Sequence, residues 1–526
     1  MKVCFLAIVT LLGFIRLSAQ SSYFQQALQY TIDAELNDKE KAIKGFETIV
    51  YKNNSPDTLA FIWFHIWPNA YRNDGTALFQ QLKNDPSRKQ KLRSGSYGAI
   101  DGLLFKANGI ECKTAAHPNN AYIDIIKVLL PQSLLPGDSV TITTPFLVKL
   151  PAYFSRSGYA DGEFMACQWY PKPAVYDNNG WHEMPYLDMG EFYSEYASYK
   201  VTITVPAAYV VGATGTLQNK EELEAYKKIG TANYAAQGAQ VMKYKPISTA
   251  KKTLLYTAAQ VPDFAWFADK EFIIQYDTLQ LSTGTTVDAF TYYHPKKNTN
   301  WVKSVDDVKD AVRKYSQWIG EYPYPVVQAV EGPKNNSSGG MEYPTITLIT
   351  SPDSNPESLD GVIAHEVGHN WFMSVFGTNE REHPWMDEGL NTYFQFRYEA
   401  EKYRTNSIIG KMIPEKLKSL SADEFQRAVY NALLQVAPQT PIETPSANFA
   451  SSDDYGLTEY IKTAVWMYII EESIGKEEVD KAFQYYYDHY KFKHPQPEDL
   501  KACFEQVTGK KMNLVFNLLN KEGKLI

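Results

Sequence analysis

The sequence predicts a multidomain α+β protein, with an N-terminal antiparallel β-sandwich or saddle domain followed by an α+β domain. Three observations predict it. The chain has 526 residues, more than one ordinary core accommodates, so two or three domains are expected. From Tyr23 to about Gln275 the pattern is strand and turn, and beyond about residue 276 the apolar period becomes helical. The 37 tyrosines and 28 prolines favour sheets and ordered loops over a helical bundle. The expected division is 1–19 for a signal peptide, 20–275 for the β domain and 276–526 for the second domain.

The first element is a targeting segment. Lys2 supplies a positive start, Val3 to Ile15 an apolar run, and Leu17-Ser18-Ala19 a small-residue cleavage site before Gln20. The run is too short to span a bilayer, so the mature chain is expected to carry no integral membrane segment. No cysteine stands at the cleavage point, which disfavours a lipoprotein. Export to the periplasm or the extracellular medium is the expectation. Strands follow at Phe46 to Tyr51 and Thr58 to Phe64, with Asn53-Asn54-Ser55-Pro56 as the turn between them. Tyr199 to Val205 alternates as a half-buried strand that Pro206 ends. Val302 to Ile319 reads as an amphipathic helix stopped by Tyr322-Pro323-Tyr324-Pro325. Val326 to Val330 and Thr345 to Thr350 read as short strands, and Lys462 to Ile526 as largely helical.

The composition is that of a globular protein, 44% hydrophobic and 21% charged. The net charge of −8, or −10 once Lys2 and Arg16 are removed, leaves no basic stripe and excludes nucleic acid as the expected partner. The basic cluster Arg88, Lys89, Lys91 and Arg93 reads as a solvated loop. Cys112, Cys167 and Cys503 form no disulfide framework; a Cys112–Cys167 bridge and free buried thiols both remain open.

The most informative stretch is His365-Glu366-Val367-Gly368-His369, followed after eighteen residues by Glu388 in WMDEGLNTY. Histidines at i and i+4 share one helix face, so both imidazoles reach one tetrahedral zinc ion. A carboxylate from a second helix completes three protein ligands and leaves the fourth position open to water. Glu366 stands where it takes a proton from that water. Asn355 and Pro356 cap and start the first helix, Glu357 suits its positive end, and Gly377 reads as its stop. A second helix is expected to open at Pro384 and carry Glu388 one turn in. The pattern points to hydrolysis at one zinc ion per chain.

Other segments fall into order around this motif. Gly339-Gly340-Met341-Glu342-Tyr343-Pro344 precedes it, and YGLTEYIKTA, with Tyr455 and Tyr460, follows it. Together they resemble the aminopeptidase N family of zinc metallopeptidases, which includes the leukotriene hydrolases. The resemblance implies a thermolysin-like catalytic domain and peptide substrates. It assigns His365, His369 and Glu388 to the zinc, Glu366 to the general base and Tyr460 to the oxyanion. It assigns Glu342 to the free α-amino group, with Gly339, Gly340 and Met341 along the peptide backbone, and Gln168 to the first side-chain pocket. The chain departs from the family where Tyr343 stands for the usual asparagine, Tyr170 for a second acid and Gln395 for a glutamate near the metal. It is also expected to lack the extended C-terminal helical domain that closes the cleft in many members.

An aminopeptidase is therefore the leading expectation. Tyr343, Tyr170 and the short C-terminus keep a zinc endopeptidase of relaxed specificity in view, and a zinc-dead scaffold is the reading from another class. Oligomeric state and the preferred N-terminal residue are not legible.

Overall fold

The computed structural model describes residues 23–86, 88, 97–239, 241–246, 250–294, 299–335, 338–351, 355–410, 413–435 and 438–526. Residues 1–19, read from the sequence as a signal peptide, and Lys89, Lys91 and Arg93 fall outside these.

Chain order builds the N-terminal half from sheets. Strands β1 (Ala27–Asn37) and β2 (Ala42–Lys52) form a hairpin that alternates buried and exposed residues, as period-two patterning requires. They sit in a nine-stranded sheet whose long members run Lys251–Val261, Ala197–Pro206, β1, β2, Ser139–Lys149. All neighbours along this run are antiparallel except β1 and Ala197–Pro206, which pair in parallel from Leu28↔Ala197 to Glu35↔Thr204. The expected all-antiparallel sheet is thus corrected at one joint, where the chain returns by a long crossover instead of a hairpin. Strand β3 (Leu59–His65) belongs to a separate four-stranded sheet, and a further four-stranded sheet contains Glu163–Ala166 and Trp266–Asp269.

Among the described residues, two α-helices interrupt this half where a run of strands and turns was expected, α1 (Ala77–Asn84) and α2 (Lys220–Ala236). Helix α2 lies on the strand Ile273–Gln280, and a Cβ at Gly230 would meet Tyr276 at 2.5 Å. Its buried side, Glu222, Tyr226, Gly230 and Asn233, is largely polar, so apolar periodicity could not signal it.

The strand Ile273–Gln280 opens a five-stranded mixed sheet ordered Ile273–Gln280, Thr286–Tyr293, Val326–Glu331, Ile346–Ile349, Gly340–Met341. Helix α3 (Ser304–Trp318) forms the crossover between the parallel strands Thr286–Tyr293 and Val326–Glu331. Helices α4 (Pro356–Phe372) and α5 (Glu388–Lys402) then pack on each other beneath the short edge strand Gly340–Met341. One contiguous apolar cluster runs from Leu28 to Leu525, so both halves share a core. Cys112, Cys167 and Cys503 are free and buried. Among the described residues, no helix is long and apolar enough to cross a membrane.

Candidate active site

Helix α4 starts as its sequence demands. The Asn355 side chain accepts from the Ser358 amide at 2.9 Å, and Pro356 fills the first turn, where no donor is needed. The helix ends at Phe372, short of the expected stop at Gly377, because the Ser374 and Phe376 amides reach back five residues to His369 and Trp371 in a wide turn. Gly377 is small for a packing reason: a Cβ there would stand 2.8 Å from the Tyr196 hydroxyl. Helix α5 also begins later than expected. Pro384–Met386 form a separate 3₁₀ turn, and Asp387 breaks the path at φ −100, ψ −77 while its carboxylate meets His369. Glu388 is therefore the first residue of α5, at the end where a helix favours negative charge.

The two helices are locked together at the site. Asn391 Nδ2 donates to the His365 carbonyl at 2.7 Å, and the Tyr315 hydroxyl donates to Asn391 Oδ1 at 2.9 Å. A Cβ on Gly368 would lie 2.0 Å from Asn391 Oδ1, so glycine between the histidines permits this approach.

Three buried donor atoms converge. His365 Nε2 lies 3.1 Å from His369 Nε2, and Glu388 Oε2 lies 3.2 and 3.4 Å from the two. Each histidine has its other nitrogen engaged, His365 Nδ1 with Gln395 Oε1 at 2.9 Å and His369 Nδ1 with Asp387 Oδ1 at 2.7 Å. Both partners accept, so each imidazole carries its proton on Nδ1 and turns a bare Nε2 lone pair inward. Two lone pairs and a carboxylate facing one point repel unless a cation sits there. Arms of about 2.0–2.1 Å to a tetrahedral zinc ion give donor separations of about 3.3–3.4 Å, which this set matches. The donors fit zinc.

Glu366 projects beside them, and its Oε2 is buried without a hydrogen-bond partner. Burial pushes its carboxyl up to about 8, with His369 opposing and Glu388 adding to the rise. Gly340 on the edge strand faces it, and a Cβ there would stand 2.5 Å from Glu366 Oε1. Glu388, despite its burial, is held well below the usual carboxylate range by the two histidines. Tyr460 stacks on the His365 ring at 5.8 Å and 19°. It is carried by a π-helical turn, Gly456–Lys462, of the kind that recurs at functional sites. Burial, and then Glu388, raise its phenol well above the ordinary value.

These groups line a cleft of about 930 Å³, together with Gly339, Gly340, Met341 and Glu342 from the edge strand and its flank. Of the residues singled out in the sequence, Gln168, Tyr170 and Tyr343 are absent from this lining. Gln168 sits at φ +47, accepts from the Tyr343 hydroxyl at 3.4 Å, and donates to Asp263 at 3.3 Å. It lines a smaller cavity behind the cleft. Tyr170 is buried away from the cleft, donating to Asp263 at 2.8 Å.

Sequence reasoning did not single out Glu191, Arg156, Asp387 or Glu380. Arg156 holds Glu191 through two hydrogen bonds, and both line the cleft. Asp387 was legible in principle as the acid beside Glu388. Nothing in the local sequence marks Glu191 or Glu380.

Known proteins agree with this architecture. Residues 304–518 match the Peptidase family M1 domain. Leucine aminopeptidase 2 of Yarrowia lipolytica is 28% identical over 163 residues, 30% of this chain and 24% of that protein. The leukotriene A-4 hydrolase homolog of Botryotinia fuckeliana is 29% identical over 192 residues, 34% of this chain and 27% of its own length. The matched stretch is thus about a quarter of each relative. An M1 zinc metallopeptidase from Deinococcus radiodurans shares the fold across 94% of both chains, at a TM-score of 0.62 and 15% identity. Aminopeptidase A of Legionella pneumophila gives 0.62 over 96% of this chain and 50% of that one, also at 15% identity. The matched Peptidase family M1 domain therefore spans the helices that carry His365, His369 and Glu388.

Proposed function

We propose that the protein is an exported zinc aminopeptidase that removes the N-terminal residue of short peptides. The observation that carries this reading is the proximity of Glu342 to the chemistry: ligand atoms of Glu342, Glu366 and His369 lie within 4.8 Å of one another. Within one residue the amine nitrogen and the carbonyl carbon are only about 2.5 Å apart. A carboxylate that seats the α-ammonium this close to the base therefore brings only the first peptide bond to it.

His365, His369 and Glu388 would hold the zinc, which when bound would supply a Lewis acid and a water made nucleophilic near neutral pH. Glu366 takes the proton of the attacking water and delivers it to the leaving amine. The Tyr460 phenol stays protonated and donates to the oxyanion as the carbonyl becomes tetrahedral. The substrate backbone extends the sheet at the edge strand Gly340–Met341, where a glycine lets it approach. Gln168 lines the smaller cavity behind the cleft and accepts from the Tyr343 hydroxyl. The working division remains a β domain to about residue 275 and a catalytic domain after it. Lys2, the apolar run Val3 to Ile15 and Leu17-Ser18-Ala19 support export.

The test compares hydrolysis of a tripeptide with that of its N-acetylated twin, using mature zinc-loaded protein and Glu366→Gln as control. Cleavage of the free peptide alone, abolished in the variant, is expected. Comparable cleavage of the acetylated peptide would replace the aminopeptidase with an endopeptidase.

A further inference from the structure

Behind the cleft lies a cavity of about 30 Å³ lined by Glu342, Glu380, Glu191 and Gln168. Glu342 and Glu191 line both spaces, so the cavity adjoins the cleft floor. Glu380 enters from the segment between α4 and α5, is 2% exposed, shares a hydrogen bond with Asp387, and keeps Oε2 without a hydrogen-bond partner. Ligand atoms of Glu380, Glu342 and Asp387 lie within 4.8 Å of one another. Charges already satisfied are easily separated from those that are not. Glu191 is paired with Arg156, and Asp387 is engaged by His369. Among the described residues, no lysine or arginine forms an ion pair with Glu342 or Glu380. Two buried carboxylates side by side repel unless a cation lies between them. The arrangement calls for a small cation delivered from the cleft.

We infer that Glu380 is a second substrate-binding carboxylate, which with Glu342 seats the α-ammonium of the peptide substrate. The inference rests on the aminopeptidase reading and adds to it the residue that replaces the acid missing at Tyr170. Size supports the assignment. The cavity has room for about one water-sized group, which an –NH₃⁺ fills and an N-acetyl group overfills. The carboxylates supply charge-assisted acceptors for a primary ammonium that has three donors to place.

The test uses zinc-loaded protein and a free tripeptide. Glu380→Gln, nearly isosteric, is expected to raise KM about tenfold or more with kcat within about twofold, the signature of lost uniform binding. Glu380→Asp, which keeps the charge, is expected to retain a lower KM than Glu380→Gln. Combined with Glu342→Gln, the effect should be non-additive, since both act on one ammonium. Zinc content, measured alongside, should stay at one ion per chain. An unchanged KM in Glu380→Gln, beside a raised KM in Glu342→Gln, would overturn the inference. A fall in kcat with zinc loss and an unchanged KM would overturn it too, placing Glu380 in support of Asp387. Wild-type cleavage of the N-acetylated twin would instead remove the aminopeptidase reading itself.

Discussion

Gln395 meets the Nδ1 of His365 at 2.9 Å through its Oε1, while its amide nitrogen donates to Glu399 and Ser407. An amide held on both sides fixes the tautomer of a proposed zinc ligand without adding a negative charge. Gln395→Ala is expected to weaken zinc binding about 10- to 100-fold. Gln395→Glu is expected to restore tight binding, since a carboxylate accepts the same proton. Competition with a chromogenic chelator measures both, and unaltered affinity in the alanine variant would dismiss the role.

Tyr460→Phe removes the phenol without disturbing the stack on His365. The variant is expected to lose about 100- to 1000-fold in kcat, the usual cost of one oxyanion donor. Its zinc content and thermal midpoint should match the wild type. A loss below about threefold would assign Tyr460 to packing among Tyr455 and Phe449.

Gly340→Ala places a methyl group against Glu366, the proposed general base. A Cβ 2.5 Å from Glu366 Oε1 forces that carboxylate to move, and a displacement of about 1 Å from productive geometry costs up to about 100-fold. The expected result is a kcat lowered about ten- to a hundredfold in a folded, zinc-loaded enzyme. Wild-type turnover would show that Glu366 has slack the structure does not suggest.

His294 makes stability depend on pH at a distance from the chemistry. Burial alone would lower its pKa, but Asp269 and Glu331 outweigh that and raise it to about 9. Because the folded value is raised, the stabilisation is complete below about pH 6.5 and is lost as pH rises through about 9. Its size is on the order of 3 kcal/mol. Urea unfolding between pH 6 and 9.5 should therefore fall more steeply for the wild type than for His294→Gln. Parallel curves would refute the pairing.

The metal centre was the most legible part of the chain, because i,i+4 spacing on one helix specifies geometry locally. Glu342 and Tyr460 were reachable only through resemblance, since the sheet edge and the π turn that aim them are tertiary facts. Asp387 escaped notice although it adjoins a recognised ligand, because its role depends on the break that separates Pro384–Met386 from α5. Helix α2 was missed for a physical reason: it buries polar side chains, Glu222 and Asn233, which bind Lys252 and the Ile274 carbonyl. Glu191 and Glu380 are placed by packing between distant segments, and no periodicity records that.

The turn Gly456–Lys462 winds its hydrogen bonds one residue wider than an α-helix, and so contains a residue that an ordinary ladder would not need. Each helical residue turns the chain by about 100°. Removing one residue from Gly456–Thr458 would thus relax the turn into regular helix and swing Tyr460 off the His365 face. The phenol's aim is set by how many residues precede it as much as by which ones. A scan of point substitutions would leave that dependence unseen, whereas a single-codon deletion would expose it at once.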